Sequence, residues 1–208
     1  MQQAAYLEDG SADAASTLIL AHGAGAAMDS PFMAAMAAGL AAHEIRVVRF
    51  EFPYMADRRR TGGKRPPDRE PVLRAAWLDT IRALAADRPF IGGKSMGGRI
   101  ASLIADEARV AGLVCLGYPF HPVGKPNQLR VEHLQTIKTP TLIVQGTRDS
   151  FGGQEEVAKY PLSPAVQFHW LADGDHSFDP RKSSGRTREQ NLAEAVAAVA
   201  AFVGARRD

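Results

Sequence analysis

The sequence predicts a single α/β domain, built on a mostly parallel sheet of six or seven strands with helices on both faces. Two observations carry this reading. Short apolar runs rich in β-branched residues recur along the chain, and helical spacing of the apolar positions follows them. Strands joined through helices run parallel, and a parallel sheet must be covered on both sides. A length of 208 residues, 45% of them hydrophobic, suffices for one full core and requires no second domain.

The strands are expected at Thr17 to Ala21, Val47 to Phe52, Phe90 to Gly92, Gly112 to Leu116, Thr141 to Gln145 and Val166 to Leu171. After the first of these, Ser30 suits an N-cap and Pro31 the first helical position. Phe32, Met33, Met36 and Leu40 then share one face of a helix ending near His43. Beyond Pro71, the residues Val72, Leu73, Ala76, Trp77, Ile81 and Leu84 keep a helical period until the chain reaches Pro89. Ile100, Leu103 and Ile104 mark a helix directly behind Ser95, and Thr187 with Gln190 forms a capping-box pattern for the last one. On that helix Leu192, Val196, Val199, Phe202 and Val203 share a face. Pro53 to Glu70 and Pro119 to Gln128 show neither period and read as irregular loops. Each follows an expected strand, where a parallel sheet opens its ligand crevice.

Acids and bases nearly balance, giving a formal net charge of +2, so the totals point to neither nucleic acid nor a membrane surface. Cys115 is the single cysteine; it excludes an internal disulfide and lies in an apolar run that reads as core. The first ten residues carry Glu8 and Asp9 without the basic and apolar regions of a signal peptide, and no apolar run approaches the length of a membrane span. The expected compartment is the cytoplasm.

The strongest chemical signal is Gly93-Lys94-Ser95-Met96-Gly97, a G-x-S-x-G sequence with a strand before it and a helix after it. So tight a turn needs neighbours that nearly lack side chains, which Gly93 and Gly97 provide, and Gly98 adds room for close helix approach. A phosphate-binding loop is the rival, since Gly93-Lys94-Ser95 copies the end of its motif. It fails because Arg88 stands where the first glycine is required. A serine hydroxyl needs a base, and the base needs an orienting acid. Asp149 follows the strand ending at Gln145, and His176 follows the strand ending at Leu171, each on the loop leaving its strand. Asp173 and Asp175 are rival acids, but they lie too near His176 in sequence to reach its Nδ1 easily and are expected to shape the turn. Serine, acid and histidine occur in the order that such hydrolases use.

The first strand ends in His22-Gly23-Ala24-Gly25-Ala26. As Gly23-x-Gly25-x-x-Met28 it imitates a dinucleotide fingerprint without its third glycine, which makes an NAD-binding domain a rival. As an H-G-x-G loop it offers a backbone N–H toward the elbow. Ala24, with Gly25 as the alternative, and Met96 would then form an oxyanion hole. His22, at the strand end, reads as a structural hydrogen-bonding residue.

Taken together, Leu20 to Gly25, Gly93 to Arg99, Pro140 to Asp149 and Asp173 to Phe178 resemble the α/β-hydrolase superfamily, over most of the chain. The resemblance is to its small branch without a cap, similar to dienelactone hydrolases and to predicted serine hydrolases with a G-K-S-M-G-G-R elbow. Dienelactone hydrolases carry a cysteine at the elbow where this chain has Ser95, so lactone specificity is not implied. The stretch from Tyr118 to Thr141, where superfamily members insert a cap, is too short for a helical domain.

These residues imply acyl transfer to water through an acyl-Ser95 intermediate, with His176 as base, Asp149 as its orienting acid, and no metal or organic cofactor. The expected partner is a small acyl compound, a carboxylic ester ahead of a thioester or amide. Other readings are an interaction module that keeps the fold without the chemistry, and a nucleotide-binding domain. The three aligned groups argue against the first, and the incomplete glycine fingerprint is a weak signal for the second. Arg58, Arg59 and Arg60, with Lys125 in the other loop, are expected to favour a substrate carrying negative charge.

Overall fold

A computed structural model describes residues 6–206. Seven strands form one sheet: β1 (Tyr6–Asp9), β2 (Ser16–Ala21), β3 (Ile45–Phe50), β4 (Phe90–Lys94), β5 (Gly112–Leu116), β6 (Thr141–Gly146) and β7 (Val166–Leu171). Their order across the sheet is β1-β3-β2-β4-β5-β6-β7, and every pairing is parallel except that of β1 with β3. The edge strand β1 was not expected. It has four residues, YLED, too few and too polar for an apolar run. Charge fastens it: Arg46 pairs with Glu8 at 2.8 Å, and the buried Arg49 pairs with Asp9 at 2.7 Å.

The alternation of side chains along each strand divides the core in two. Ile19, Ala21, Ile91, Leu113, Cys115 and Ile143 face one side, while Leu18, Leu20, Val47, Val114, Leu142 and Val144 face the other. The second side is covered by α1 (Pro31–Ala41) and α7 (Arg188–Gly204), through Phe32, Met33, Met36, Val196, Val199 and Phe202. Thr187 caps α7 through a reciprocal pair with Gln190. The first side packs under α2 (Pro53–Thr61), α3 (Glu70–Leu84), α4 (Met96–Ser102) and α5 (Ala105–Ala108). A short α6 (Gln154–Val157) precedes β7. Among the described residues no helix is long and apolar enough to cross a membrane.

Beyond shifts of one or two residues at strand ends, three elements differ from the sequence reading. The expected strand at Val47 to Phe52 is displaced to Ile45–Phe50, because Pro53 opens α2 and Phe52 becomes its N-cap. The first half of the supposedly irregular stretch 53–70 is therefore helical. Nothing in its apolar spacing announces this, since only Tyr54 and Met55 are buried. The signals are proline at the first position, three arginines complementing the dipole in the last turn, and a left-handed Gly62 as the stop. The helix expected behind Ser95 is two pieces, broken at Leu103 and Ile104. Between β5 and β6 the chain forms only a 3-10 turn, Glu132–Gln135, and no cap.

Trp77 of α3 links this core to the functional edge of the sheet. Fully buried, it meets Phe50 edge-on at 4.7 Å, and its indole N–H donates to the Gly97 carbonyl at 3.4 Å. Trp77→Ala is expected to cost about 3–5 kcal/mol in urea unfolding. A loss under about 1 kcal/mol would show that α3 does not hold the core together.

Candidate active site

Ser95 sits between the last residue of β4 and the first of α4, with backbone angles φ 50° and ψ −113°. Such angles are strained for a residue with a side chain and occur where a surrounding structure enforces them. Here the enforcement is steric. A Cβ at Gly97 would lie 2.5 Å from the Ala21 carbonyl oxygen and 2.6 Å from that of His22, so α4 rests on the backbone of β2 with no room for a side chain. The Ser95 N–H is held by the Leu116 carbonyl at 3.0 Å. With the backbone fixed on both sides, the hydroxyl projects beyond the sheet edge.

The loops after β6 and β7 bring the other two residues to it. They touch at Gly146, where a Cβ would fall 2.3 Å from the Gly174 carbonyl oxygen. His176 Nε2 lies 2.9 Å from Ser95 Oγ, and His176 Nδ1 lies 2.8 Å from Asp149 Oδ2. Asp149 is buried and well supplied with donors: Oδ1 accepts the Phe151 N–H at 2.9 Å and Oδ2 accepts Gln145 Nε2 at 2.9 Å. Asp175 instead accepts the N–H groups of Ser177 and Asp179, and Asp173 is engaged by Arg148 and Arg181. Two neighbours were not anticipated from sequence. The Phe151 ring packs on the imidazole at 4.3 Å between centroids. Gln145 is fully buried; its Oε1 accepts the Tyr118 N–H, and its Nε2 also reaches the Tyr118 and Gly152 carbonyls.

Ala24 and Met96 line the same cavity as Ser95. Met96 is the first residue of α4, so its N–H has no acceptor within the helix. The turn carrying Ala24 is fixed from behind by its carbonyls. Tyr54 Oη donates to the Ala24 oxygen at 3.0 Å, and burial pushes this phenol up to about 12, so it stays a donor. His22 Nε2 accepts the Phe52 N–H at 3.1 Å, which leaves the proton on Nδ1, 2.6 Å from the Gly23 carbonyl oxygen. Burial holds His22 below the ordinary histidine range and thus neutral. Nine residues, His22 to Ser30, separate β2 from α1. The Gly23-x-Gly25 sequence therefore does not open a helix, as a dinucleotide fingerprint must.

The cavity beside Ser95 has a volume of about 310 Å³, and Arg99, Arg130 and Phe151 are among its walls. The arginines expected from the sequence do not line it. Arg59 is held by Glu51 and Asp29, Arg60 by Asp57, and Arg58 borders a separate cleft with Lys64. Helix formation from Pro53 places Arg58 and Arg59 at that separate cleft and Arg60 beside Asp57. Lys125 is exposed on its loop and is likewise absent from the walls. Arg99 donates to Glu70 at 3.0 Å, while its Nε is buried without a partner. Burial and the adjacent Arg99 hold Arg130 below its ordinary range. Arg99 follows Ser95 by four residues and could have been placed by helical spacing; Arg130 gave no signal.

An alpha/beta hydrolase domain family matches residues 14–204. A carboxymethylenebutenolidase of Pseudomonas sp. (strain P51) is 31% identical over 130 residues, covering 56% of this chain and 52% of the relative. The chain thus spans about half the length of that protein. An alpha-beta serine hydrolase homologue from Coxiella burnetii superposes with a TM-score of 0.68 at 22% identity, over 93% of this chain and 89% of the other. A serine hydrolase without a lid from Xanthomonas campestris gives 0.70 at 18% identity, over 96% and 88%. The esterase domain of a Rhodothermus marinus protein gives 0.70 at 17%, over 99% and 94%.

Gln145→Leu keeps the volume and removes every polar partner, leaving the Tyr118 N–H buried without an acceptor. The expected loss is about 2–3 kcal/mol of unfolding free energy. Unchanged urea stability would mean that the amide is dispensable to the Asp149 loop.

Proposed function

Because the chain belongs to the alpha/beta hydrolase domain family, we propose that it is a serine hydrolase that cleaves a carboxylic ester through an acyl-Ser95 intermediate. The observation that carries this reading is the continuous line from Ser95 Oγ through the imidazole to Asp149, with links of 2.9 and 2.8 Å. His176 takes the hydroxyl proton as Oγ attacks the acyl carbon and returns it to the leaving oxygen. Asp149 fixes the tautomer and stabilises the imidazolium. The N–H groups of Ala24 and Met96 receive the oxyanion. Water, activated by the same imidazole, then releases the acid and restores Ser95.

The cavity walls suggest which acyl group. Glu70 is committed to Arg99 and Asp68 to the Tyr54 N–H, so both carboxylates of the wall have partners. The Arg130 guanidinium has no carboxylate within ion-pair reach among the described residues. The uncommitted charge is positive, and a small acyl chain ending in a carboxylate complements it. This reading moves anion selection from Arg58, Arg59, Arg60 and Lys125 to Arg99 and Arg130.

Ser95→Ala is expected to abolish both fluorophosphonate labelling and ester turnover while leaving the thermal midpoint within a few degrees. Asp149→Asn should lower kcat by about 10³–10⁴-fold, whereas Asp175→Asn should stay within about threefold of wild type. Turnover retained by the serine variant would remove the mechanism.

Arg130→Gln is expected to raise KM about tenfold for mono-4-nitrophenyl adipate and to leave that for 4-nitrophenyl hexanoate unchanged. Equal effects on the two esters would remove the carboxylate from the proposed substrate.

A further inference from the structure

Ser95 and His176 belong to strands that are not neighbours, since β5 and β6 stand between β4 and β7. At about 4.8 Å per strand the two loops start some 14 Å apart, so their register over a 2.9 Å contact has to be set by something besides the sheet. One side chain bridges them directly. Lys94, the last residue of β4, extends its ammonium to within 2.6 Å of the His176 carbonyl oxygen. The Phe32 and Phe178 rings face the nitrogen at 5.4 and 5.9 Å from their centroids. Gly117 provides the space, for a Cβ there would stand 2.7 Å from Nζ.

This is a costly way to fill a gap between two phenyl rings. Asp149 and Asp175 act on the ammonium only through space, and no carboxylate pairs with it among the described residues. Burial outweighs their attraction and pushes the Lys94 ammonium down to about 8. A methionine would occupy the same space without a buried charge. What methionine lacks is the bond to the backbone of His176.

We propose that Lys94 is a positioning residue for ester cleavage, its ammonium fastening the backbone of His176 to the residue adjoining Ser95 and so setting the imidazole against the hydroxyl. The inference rests on the acyl-Ser95 reading and deepens it. Because the bond is to a carbonyl, it fixes the loop irrespective of the imidazole's rotation. A charged donor holds that carbonyl about twice as strongly as a neutral amine does, so the tether weakens as the ammonium loses its proton. The ionisable groups facing the ammonium are Asp149 from the loop after β6 and Asp175 and His176 from the loop after β7. Helix α1 presents the Phe32 ring, and the loop after β2 lies at Gly23 against the Lys94 stem, with no ionisable group.

Two opposite signs follow. Turnover falls as pH rises through about 8. Stability moves the other way: above pH 8 the unfolded chain holds a proton that the folded one has released, so the fold gains up to the ordinary lysine value, and at pH 7 the charge is a cost.

The test compares the wild-type chain with Lys94→Met and Lys94→Gln, using 4-nitrophenyl acetate between pH 6 and 10 and thermal unfolding at pH 7. Wild-type kcat is expected to decline on the alkaline side with a midpoint near 8. Both variants should lose about 10–100-fold in kcat with KM within about twofold. Lys94→Met should show no alkaline decline and melt about 5 °C higher. Wild-type kcat in either variant, an alkaline decline that persists in Lys94→Met, or a lower melting point accompanying the loss in both would overturn the assignment. The acyl-serine reading is judged separately, by whether the wild-type chain takes up a fluorophosphonate at Ser95.

Discussion

No carbon atom beyond Cα fits where Gly97 meets the last carbonyls of β2, and the geometry of the site descends from that contact. It presses α4 onto the sheet where Ser95 takes a positive φ, and the Met96 N–H stands at the start of that helix without an acceptor inside it. The strain at Ser95 amounts to about 1–3 kcal/mol. It is borne by a core packed on two faces, in which Trp77 reaches the elbow from below.

The same edge of the sheet concentrates buried polar groups. Asp149, Gln145 and His22 are each nearly or wholly excluded from water, and each has its hydrogen-bonding atoms matched by backbone or side-chain partners. Matching of this kind fixes a single arrangement, since any displacement leaves a donor or acceptor stranded. Among the described residues two buried side-chain atoms fall outside the matching, Nε of Arg49 and Nε of Arg99. The first belongs to a side chain already held by Asp9 and the Met28 carbonyl, outside the cavity walls. The second stands in the wall beside Ser95.

Much of this was legible in the chain. The parallel strands, the capping box on α7 and the order of Ser95, Asp149 and His176 could be read because each leaves a local mark: a period, a turn residue, a position after a strand. The missed features leave none. Strand β1 is ordered by arginines 38 and 40 residues away in sequence. Helix α2 forms on capping and dipole complementarity with only two buried residues, and Arg58, Arg59 and Arg60 on it stay out of the Ser95 cavity. Gln145 reads as one more strand residue until Tyr118 and Gly152 close around it. Arg130 reaches the cavity through the fold of a long connection, which no spacing rule describes.

That connection, from β5 to β6, holds one 3-10 turn and no helical cap, and it meets the cavity through Pro119 and Arg130. The cavity of about 310 Å³ is open to solvent along part of its boundary. Whatever occupies it presents only part of itself to the walls, and the remainder stands in solvent. A compound larger than about 310 Å³ would leave its outer part in solvent, where the walls have no hold on its size.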